Sequence, residues 1–267
     1  MNKKADKNNP LAVVITGGSS GIGAEIRKLY AGAGHTVYNL SRSNPDMSEN
    51  HIFCDVSDEA SVKTAIKKIP AGVKIDVLIN NAGVGLNGAA ELVSSESAKA
   101  CMDVNFMGTY YCIKHVLPRM NGRGRIINVS SAAGIFALPF KEFYCAAKAS
   151  VNMLSYGLRM ELSQTGIKVA SVCPGDTQSN FNKNRIREFE TNERYGSRIQ
   201  EAADKLDKRD SKRMPAETVA RKIRKVAEKR NPKPLYIIGA KYKALYFFYR
   251  ILPLNLFLKM TNNLLGR

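Results

Sequence analysis

Short apolar runs recur along the chain, with stretches of helical spacing between them. "LAVVITGG" is β-branched and ends in glycines, the signature of a strand running into a tight turn. "SSGIGAEIRKLYAGAG" follows and sets Ile22, Ile26, Leu29 and Tyr30 on one helical face. "HTVYNLSR" and "HIFCDV" read as the second and third strands, and "SVKTAIKKI" as a helix. "IDVLINNAG" is a strand with no polar alternation until its end, as expected where both faces are buried. "SAKACMDVNFMGTYYCIKHVLPRM" is a long helical stretch and "GRIINVSS" a strand. "EFYCAAKASVNMLSYGLRMELSQTG" is a helix closed by Gly166, and "IKVASVCPG" is a strand. A basic helix, "PAETVARKIRKVAEK", and a last strand, "PLYIIGA", complete the pattern.

Strands alternating with helices at this rhythm predict a doubly wound, Rossmann-like parallel sheet with helices on both faces. Between the second and third strands stands only "SNPDMSEN", too short and too broken by Pro45 for a crossover helix. No internal repeat or composition break divides the chain, so residues 1–240 are expected to form a single catalytic domain. Residues 241–267 are then an extension beyond it.

Composition adds three constraints. The 44% hydrophobic content supplies a sizeable core. Cys54, Cys101, Cys112, Cys145 and Cys173 lack metal-ligand spacing, and their apolar neighbours suggest buried free thiols in a reducing compartment. His35, His51 and His115 are isolated, so no metal site is expected. The amino-terminal "MNKKADKNNP" is polar and the apolar run after it is too short for a signal peptide, which points to the cytoplasm.

Charge is uneven. The chain has 41 basic and 23 acidic residues, a net +18, and residues 182–267 hold 22 of the basic and 9 of the acidic ones. That field suits an anionic partner such as phospholipid or an acidic carrier protein. No zinc finger, helix-turn-helix or RNA-binding signature accompanies it, so nucleic acid is not an expected partner.

The turn after the first strand is "TGGSSGIG". Gly17, Gly21 and Gly23 let the backbone turn tightly and approach a pyrophosphate, while the helix amino terminus offers free N–H groups to it. The spacing is G-x-x-x-G-x-G. At the end of the second strand an acid would accept from a ribose 2′-hydroxyl, whereas a cation would pair with a 2′-phosphate. The chain has Ser41, Arg42 and Ser43 there, and a guanidinium binds phosphate through two parallel hydrogen bonds. Arg42 therefore argues for NADP(H) over NAD(H). Farther on, Tyr144 and Lys148 stand four residues apart, on one helical face.

In order and spacing, "TGGSSGIG", Asp55–Val56, "NNAG", "VNFMG", "INVSS", "YCAAK" and "CPG" make the chain resemble the single-domain short-chain dehydrogenase/reductases. The resemblance spans about residues 1–240. It implies that Tyr144 is the acid–base group of hydride transfer between a ketone and a secondary alcohol. Lys148 would lower the phenol's pKa and hold the nicotinamide ribose. Ser131 would hold the substrate oxygen beside Tyr144, and Asn105 would anchor a proton relay. Ser131 is favoured over Ser130 because A-A-G follows it. The resemblance also implies cofactor contacts from Gly17, Ser19, Ser20, Gly21, Ile22 and Gly23 at the diphosphate. Asp55, Val56, Asn81, Ala82 and Gly83 would lie at the adenosine side, and Pro174, Gly175, Thr177 and Ser179 near the nicotinamide. Asn80 is expected to brace the sheet.

Residues 177–214 fall where the family has its substrate lid and are expected to form mobile helices over the cleft. Phe136, Leu138, Phe140, Phe143 and Phe181 are the apolar candidates to line a pocket, which favours a hydrophobic, lipid-like or steroid-like substrate. The last stretch, "KYKALYFFYRILPLNLFLKMTNNLLGR", is basic, aromatic and interrupted by Arg250 and Pro253, which argues against a spanning helix. It suits peripheral membrane contact, a cover over the cleft or a subunit interface. A homodimer or homotetramer through helices 97–121 and 142–165 follows from the resemblance. The competing functions are a 3-oxoacyl-[acyl-carrier-protein] reductase and a membrane-associated nucleotide-binding protein with little turnover.

Overall fold

A computed structural model describes residues 9–178, 181, 185–207 and 213–263. Seven parallel strands form the central sheet: β1 (Ala12–Thr16), β2 (Thr36–Ser41), β3 (His51–Phe53), β4 (Ile75–Asn80), β6 (Met120–Val129), β7 (Lys168–Pro174) and β9 (Leu235–Ile238). Their spatial order is β3-β2-β1-β4-β6-β7-β9. A separate parallel pair joins β5 (Leu86–Asn87) to β8 (Ile186–Arg187). The seven strands expected from the sequence are the seven of this sheet.

Alternation along each strand sends neighbouring residues to opposite faces. Ala12 and Val14 of β1 join one core with Leu40, Leu78 and Ile126, under helices α2 (Glu59–Lys68), α4 (Gly108–Val116) and α5 (Glu142–Glu161). Val13 and Ile15 join the other with Val77, Ile79 and Ile127, under α1 (Gly21–Ala31) and α7 (Ala216–Ala227). Ile26 on α1 and Ile223 on α7 are wholly buried, each contributing about 2 kcal/mol by transfer from water. Asp58 fixes where α2 starts by accepting from the amides of Ala60 and Ser61.

The long helical stretch is α3 (Ser95–Met102), a π-helical turn over Asp103–Met107, and then α4. Helix α5 ends at Glu161, before Gly166. Gly166 has a different use: a Cβ there would lie 1.9 Å from the carbonyl oxygen of Gly122, so two backbone segments meet at that point. Between β2 and β3 the chain crosses without a helix, as the shortness of 42–50 implies.

The stretch expected to be a lid is tied down at both ends. Thr177 forms a bridge with Met214, and β8 pairs with β5. Helix α6 (Arg198–Asp207) anchors through Ile199, which packs on Phe140 and Ala89. The carboxyl-terminal stretch forms α8 (Ala240–Ile251) and α9 (Leu254–Thr261), broken where Pro253 cannot continue the first helix. Among the described residues no helix is long and apolar enough to cross a membrane.

Candidate active site

In a parallel sheet a crevice opens where neighbouring strands send their crossovers to opposite sides, here beside β1 and β4. A cavity of about 610 Å³ occupies that crevice at the carboxyl ends of the strands. Gly17, Ser19, Ser20, Gly21 and Ile22 line it, together with Ser41, Arg42, Ser43, Asp55 and Val56. Asn81, Ala82, Gly83, Ser131, Tyr144, Lys148, Pro174, Gly175 and Thr177 line it as well. Two of the expected site residues stand behind the wall: Gly23, buried beneath the turn, and Asn105, wholly buried. Ser179 lies outside the described residues.

The turn fits a dinucleotide. Gly17 has φ +66°, and a Cβ on it would lie 3.0 Å from the Ala82 backbone. A Cβ on Gly23 would meet the Gly17 carbonyl oxygen at 2.2 Å. Asn81 holds the turn from below, its Nδ2 donating to the carbonyls of Thr16 and Gly17. Ser20 caps α1 without a side-chain hydrogen bond, which leaves the first-turn amides facing the cavity for an anion.

At the other end, Ser41 and Ser19 both donate to the carbonyl of Ser43, fixing the segment that carries the exposed Arg42. Burial pushes the Asp55 carboxyl up, but hydrogen bonds from Ser57 and the Arg42 charge more than offset this and hold it below its ordinary value. Arg42 thus places a positive charge beside the Asp55 carboxylate at this end of the cavity.

Around Tyr144 the environment is drier. Burial raises its phenol to about 12, against a smaller opposing effect of the Ser131 hydroxyl and the Arg185 charge. Lys148 is lowered to about 8 by burial, and its ammonium donates to the carbonyl of Val129 at 3.0 Å. In this state the cation that favours the phenolate is Arg185. Lys148 was expected to be that cation. Its ammonium is held by the end of β6, close to Gly83 and Asn105.

Asn105 sits in the π-helical turn, a distortion that frequently marks functional positions. Its amide donates to the carbonyls of Val84 and Cys101 at 2.8 Å each. A Cβ on Gly83 would fall 2.7 Å from Asn105 Oδ1 and 3.3 Å from Lys148 Nζ, so the three groups converge at one spot. Ser130 is buried and donates to the carbonyl of Lys148, and Asn80 donates to Asn128 Oδ1 within the sheet. Both are braces, as expected.

Of the five apolar candidates for the pocket, Leu138 and Phe181 line it. Phe136 instead lies under the carboxyl-terminal helices, against Phe257 and Leu245. Phe140, at φ +61°, turns toward Ile199 and Tyr195, and Phe143 is not part of the lining. In their place stand residues that sequence reasoning passed over: Lys141, Asp176, Arg185, Arg213 and Tyr242. The one available signal was Lys141, a single helical turn before Tyr144.

A phenol and a hydroxyl side by side can bind one carbonyl oxygen between them, next to a crevice shaped for a dinucleotide. The family model for short chain dehydrogenases matches residues 11–190. A 3-ketodihydrosphingosine reductase of Bacteroides thetaiotaomicron is 36% identical over 233 residues, covering 84% of this chain and 86% of that protein. A solved short-chain dehydrogenase from Streptomyces avermitilis superposes with a TM-score of 0.79 at 26% identity, covering 91% of this chain and 93% of that one. The structure of ElxO with NADP bound superposes at 0.71 and 26% identity, covering 88% of this chain and 100% of that one. With a seven-stranded sheet of this order and a family match over most of its length, the chain belongs to the short-chain dehydrogenases and is an oxidoreductase.

Proposed function

We propose that the protein interconverts a ketone and a secondary alcohol on a lipid-like substrate, using NADP(H) in preference to NAD(H). The observation that carries this reading is one cavity lined together by Ser131, Tyr144 and Lys148, the glycine-rich turn and Arg42. When bound, the reduced nicotinamide supplies hydride to the carbonyl carbon. Tyr144 gives its proton to the carbonyl oxygen and recovers one in the reverse direction. A phenol raised to about 12 is fully protonated at neutral pH, which is the state that reduction needs. Ser131 holds the same oxygen and stabilises the charge that develops on it. Lys148 would hold the cofactor ribose, the Arg185 charge favours the phenolate that Tyr144 becomes, and Asn105, which converges with Lys148 at Gly83, would anchor the return of the proton.

A second cavity, of about 590 Å³, supports the lipid-like substrate. It shares Ala133 and Leu138 with the first and continues past Pro139, Cys145, Ala146 and Ala149 to Leu258 on α9. The name of the Bacteroides relative points the same way.

The outer face of α8 and α9 belongs, on the same reading, against a membrane surface. Phe247, Phe248, Ile251, Leu254, Leu256 and Leu258 are each more than 40% exposed. Lys241, Lys243, Arg250 and Lys259 flank them, a combination that suits an interface carrying anionic lipid. The inner face closes over Phe136 and Ala132. Subunit contact through α4 and α5 is supported by Tyr110, Met153 and Met160, large side chains left exposed on those helices.

Initial rates with NADPH and NADH test the reading against steroid ketones, long-chain 3-keto lipids and an acetoacetyl thioester. Turnover confined to hydrophobic ketones with NADPH is expected. Turnover of the thioester instead would make the basic last third a docking surface for an acidic carrier protein.

A further inference from the structure

We propose that Asn152 is a positioning residue for the reaction. It clamps the turn that carries Ser131 onto helix α5, which carries Tyr144, and so sets the spacing of the two groups assigned to the substrate oxygen. The inference rests on the ketone-reductase reading and adds to it the device that holds the pair in register.

Tyr144, Lys148 and Asn152 follow one another at intervals of four on α5, so the stripe that bears the chemistry runs one turn beyond Lys148. Asn152 is only 5% exposed. Its Nδ2 donates to the carbonyl of Gly134 at 3.1 Å. Its Oδ1 accepts from Ser171 Oγ at 2.6 Å and from Cys173 Sγ at 3.5 Å, both on β7. A carbonyl can only accept, so the Gly134 contact fixes which end of the amide faces the turn. One side chain thereby joins β7, α5 and the turn.

Ser131 opens that turn. Its hydroxyl accepts from the Ala133 amide at 3.1 Å and its carbonyl from the Gly134 amide at 2.9 Å, which closes Ala132–Gly134 into one 3₁₀ turn. On the near side, Ser130 donates from its hydroxyl to the Lys148 carbonyl at 2.8 Å and from its amide to the Val172 carbonyl on β7. On the far side, Asn152 holds Gly134. The two ties grip α5 at 148 and 152, and Ser131 stands between them. Packing leaves little slack, since a Cβ on Gly134 would fall 2.7 Å from the carbonyl carbon and oxygen of Lys148. Without the Asn152 amide, one of these two ties is lost and the turn can pivot about Ser130. The hydroxyl that lowers the Tyr144 phenol would then move relative to it. A misplacement of about 1 Å at reacting groups can cost roughly a hundredfold in rate.

The test uses the full chain, NADPH and a long-chain 3-keto lipid. Asn152→Leu is expected to lower kcat by about tenfold to a hundredfold while the KM for NADPH changes little. Asn152→Gln, which keeps both the donor and the acceptor, should recover much of that loss. Ser171→Ala frees the amide from β7 and should give a smaller loss in the same direction. It carries the comparison if Asn152→Leu does not fold. In a Ser131→Ala background the same substitutions should cost little more, because Asn152 acts through Ser131. An unchanged kcat, or equal fold losses with and without Ser131, overturns the proposal and leaves the reductase intact. Were the lipid not turned over by the unaltered protein, the reductase reading would fail, and amide hydrogen exchange would still decide the clamp. Faster exchange at residues 131–135 in Asn152→Leu, with β7 unchanged, supports it; unchanged exchange at 131–135 overturns it.

Discussion

The ring of Tyr242 packs against the backbone of Gly175, so closely that a Cβ on Gly175 would sit 2.0 Å from two of its carbons. Tyr242 belongs to the first turn of α8, and Gly175 to the segment that leaves β7 at the cofactor cleft. The carboxyl-terminal helices therefore contribute a side chain to the cavity itself. Gly175→Ala is expected to destabilise the protein by about 1–3 kcal/mol, the usual range for overpacking. Adding Tyr242→Ala is expected to recover most of that loss, a coupling that a double-mutant cycle of denaturant midpoints would reveal. Additive losses would show that the contact is not tight.

Arg42 offers a separable prediction about cofactor choice. Its guanidinium is exposed at the cavity edge and contributes to holding the Asp55 carboxyl below its ordinary value. Arg42→Ala is expected to lower kcat/KM for NADPH by roughly tenfold to a hundredfold, in line with loss of a charged phosphate contact. NADH should be affected much less. Equal losses with both cofactors would remove Arg42 from the 2′-phosphate.

The ionisation of Tyr144 sets opposite pH demands on the two directions. An acid raised by burial keeps its proton at neutral pH, so reduction has its donor and alcohol oxidation lacks its base. Oxidation of a neutral alcohol is expected to rise with pH across the alkaline range, with reduction flat through neutrality. Arg185 lowers the phenol, so Arg185→Leu should move the oxidation limb to higher pH. A limb that stays in place would mean another group carries the ionisation. Tyr144→Phe should abolish both directions while cofactor binding persists.

The two faces of the carboxyl-terminal helices should respond differently to substitution. Phe247→Ser with Leu254→Ser removes outer-face side chains that are 60% and 59% exposed, and thermal stability should change little. Co-sedimentation with vesicles containing anionic lipid is expected to drop sharply. Phe257→Ala removes a ring 1% exposed and packed on Phe136, so it should cost about 3–5 kcal/mol of local stability. Unchanged sedimentation of the double variant would exclude the outer face as a membrane contact.

The strands along the chain and the cofactor turn were legible because both depend on local pattern. β-Branched runs such as "LAVVIT" can only be strands once glycines follow, and Gly17 at φ +66° adopts a backbone conformation that other residues avoid. The wall facing Tyr144 was not legible. Lys141, Arg185, Arg213 and Tyr242 come from four distant segments, and their meeting is decided by tertiary packing. Phe136 misled for a related reason: an aromatic beside the catalytic strand looks like pocket lining until α8 and α9 are known to cover it. Gly166 looked like a helix stop, although the constraint on it is the approach of Gly122 from another part of the chain.

Leu258 both lines the apolar cavity that adjoins the active cleft and lies partly open on the outer face of α9. A lipid ketone reaching the cleft from this side would partition into the bilayer first and diffuse in two dimensions to the protein. Its effective concentration would then be its mole fraction in the lipid layer. Rates should fall when inert lipid is added at constant bulk substrate, and should hardly respond to dilution of the suspension as a whole.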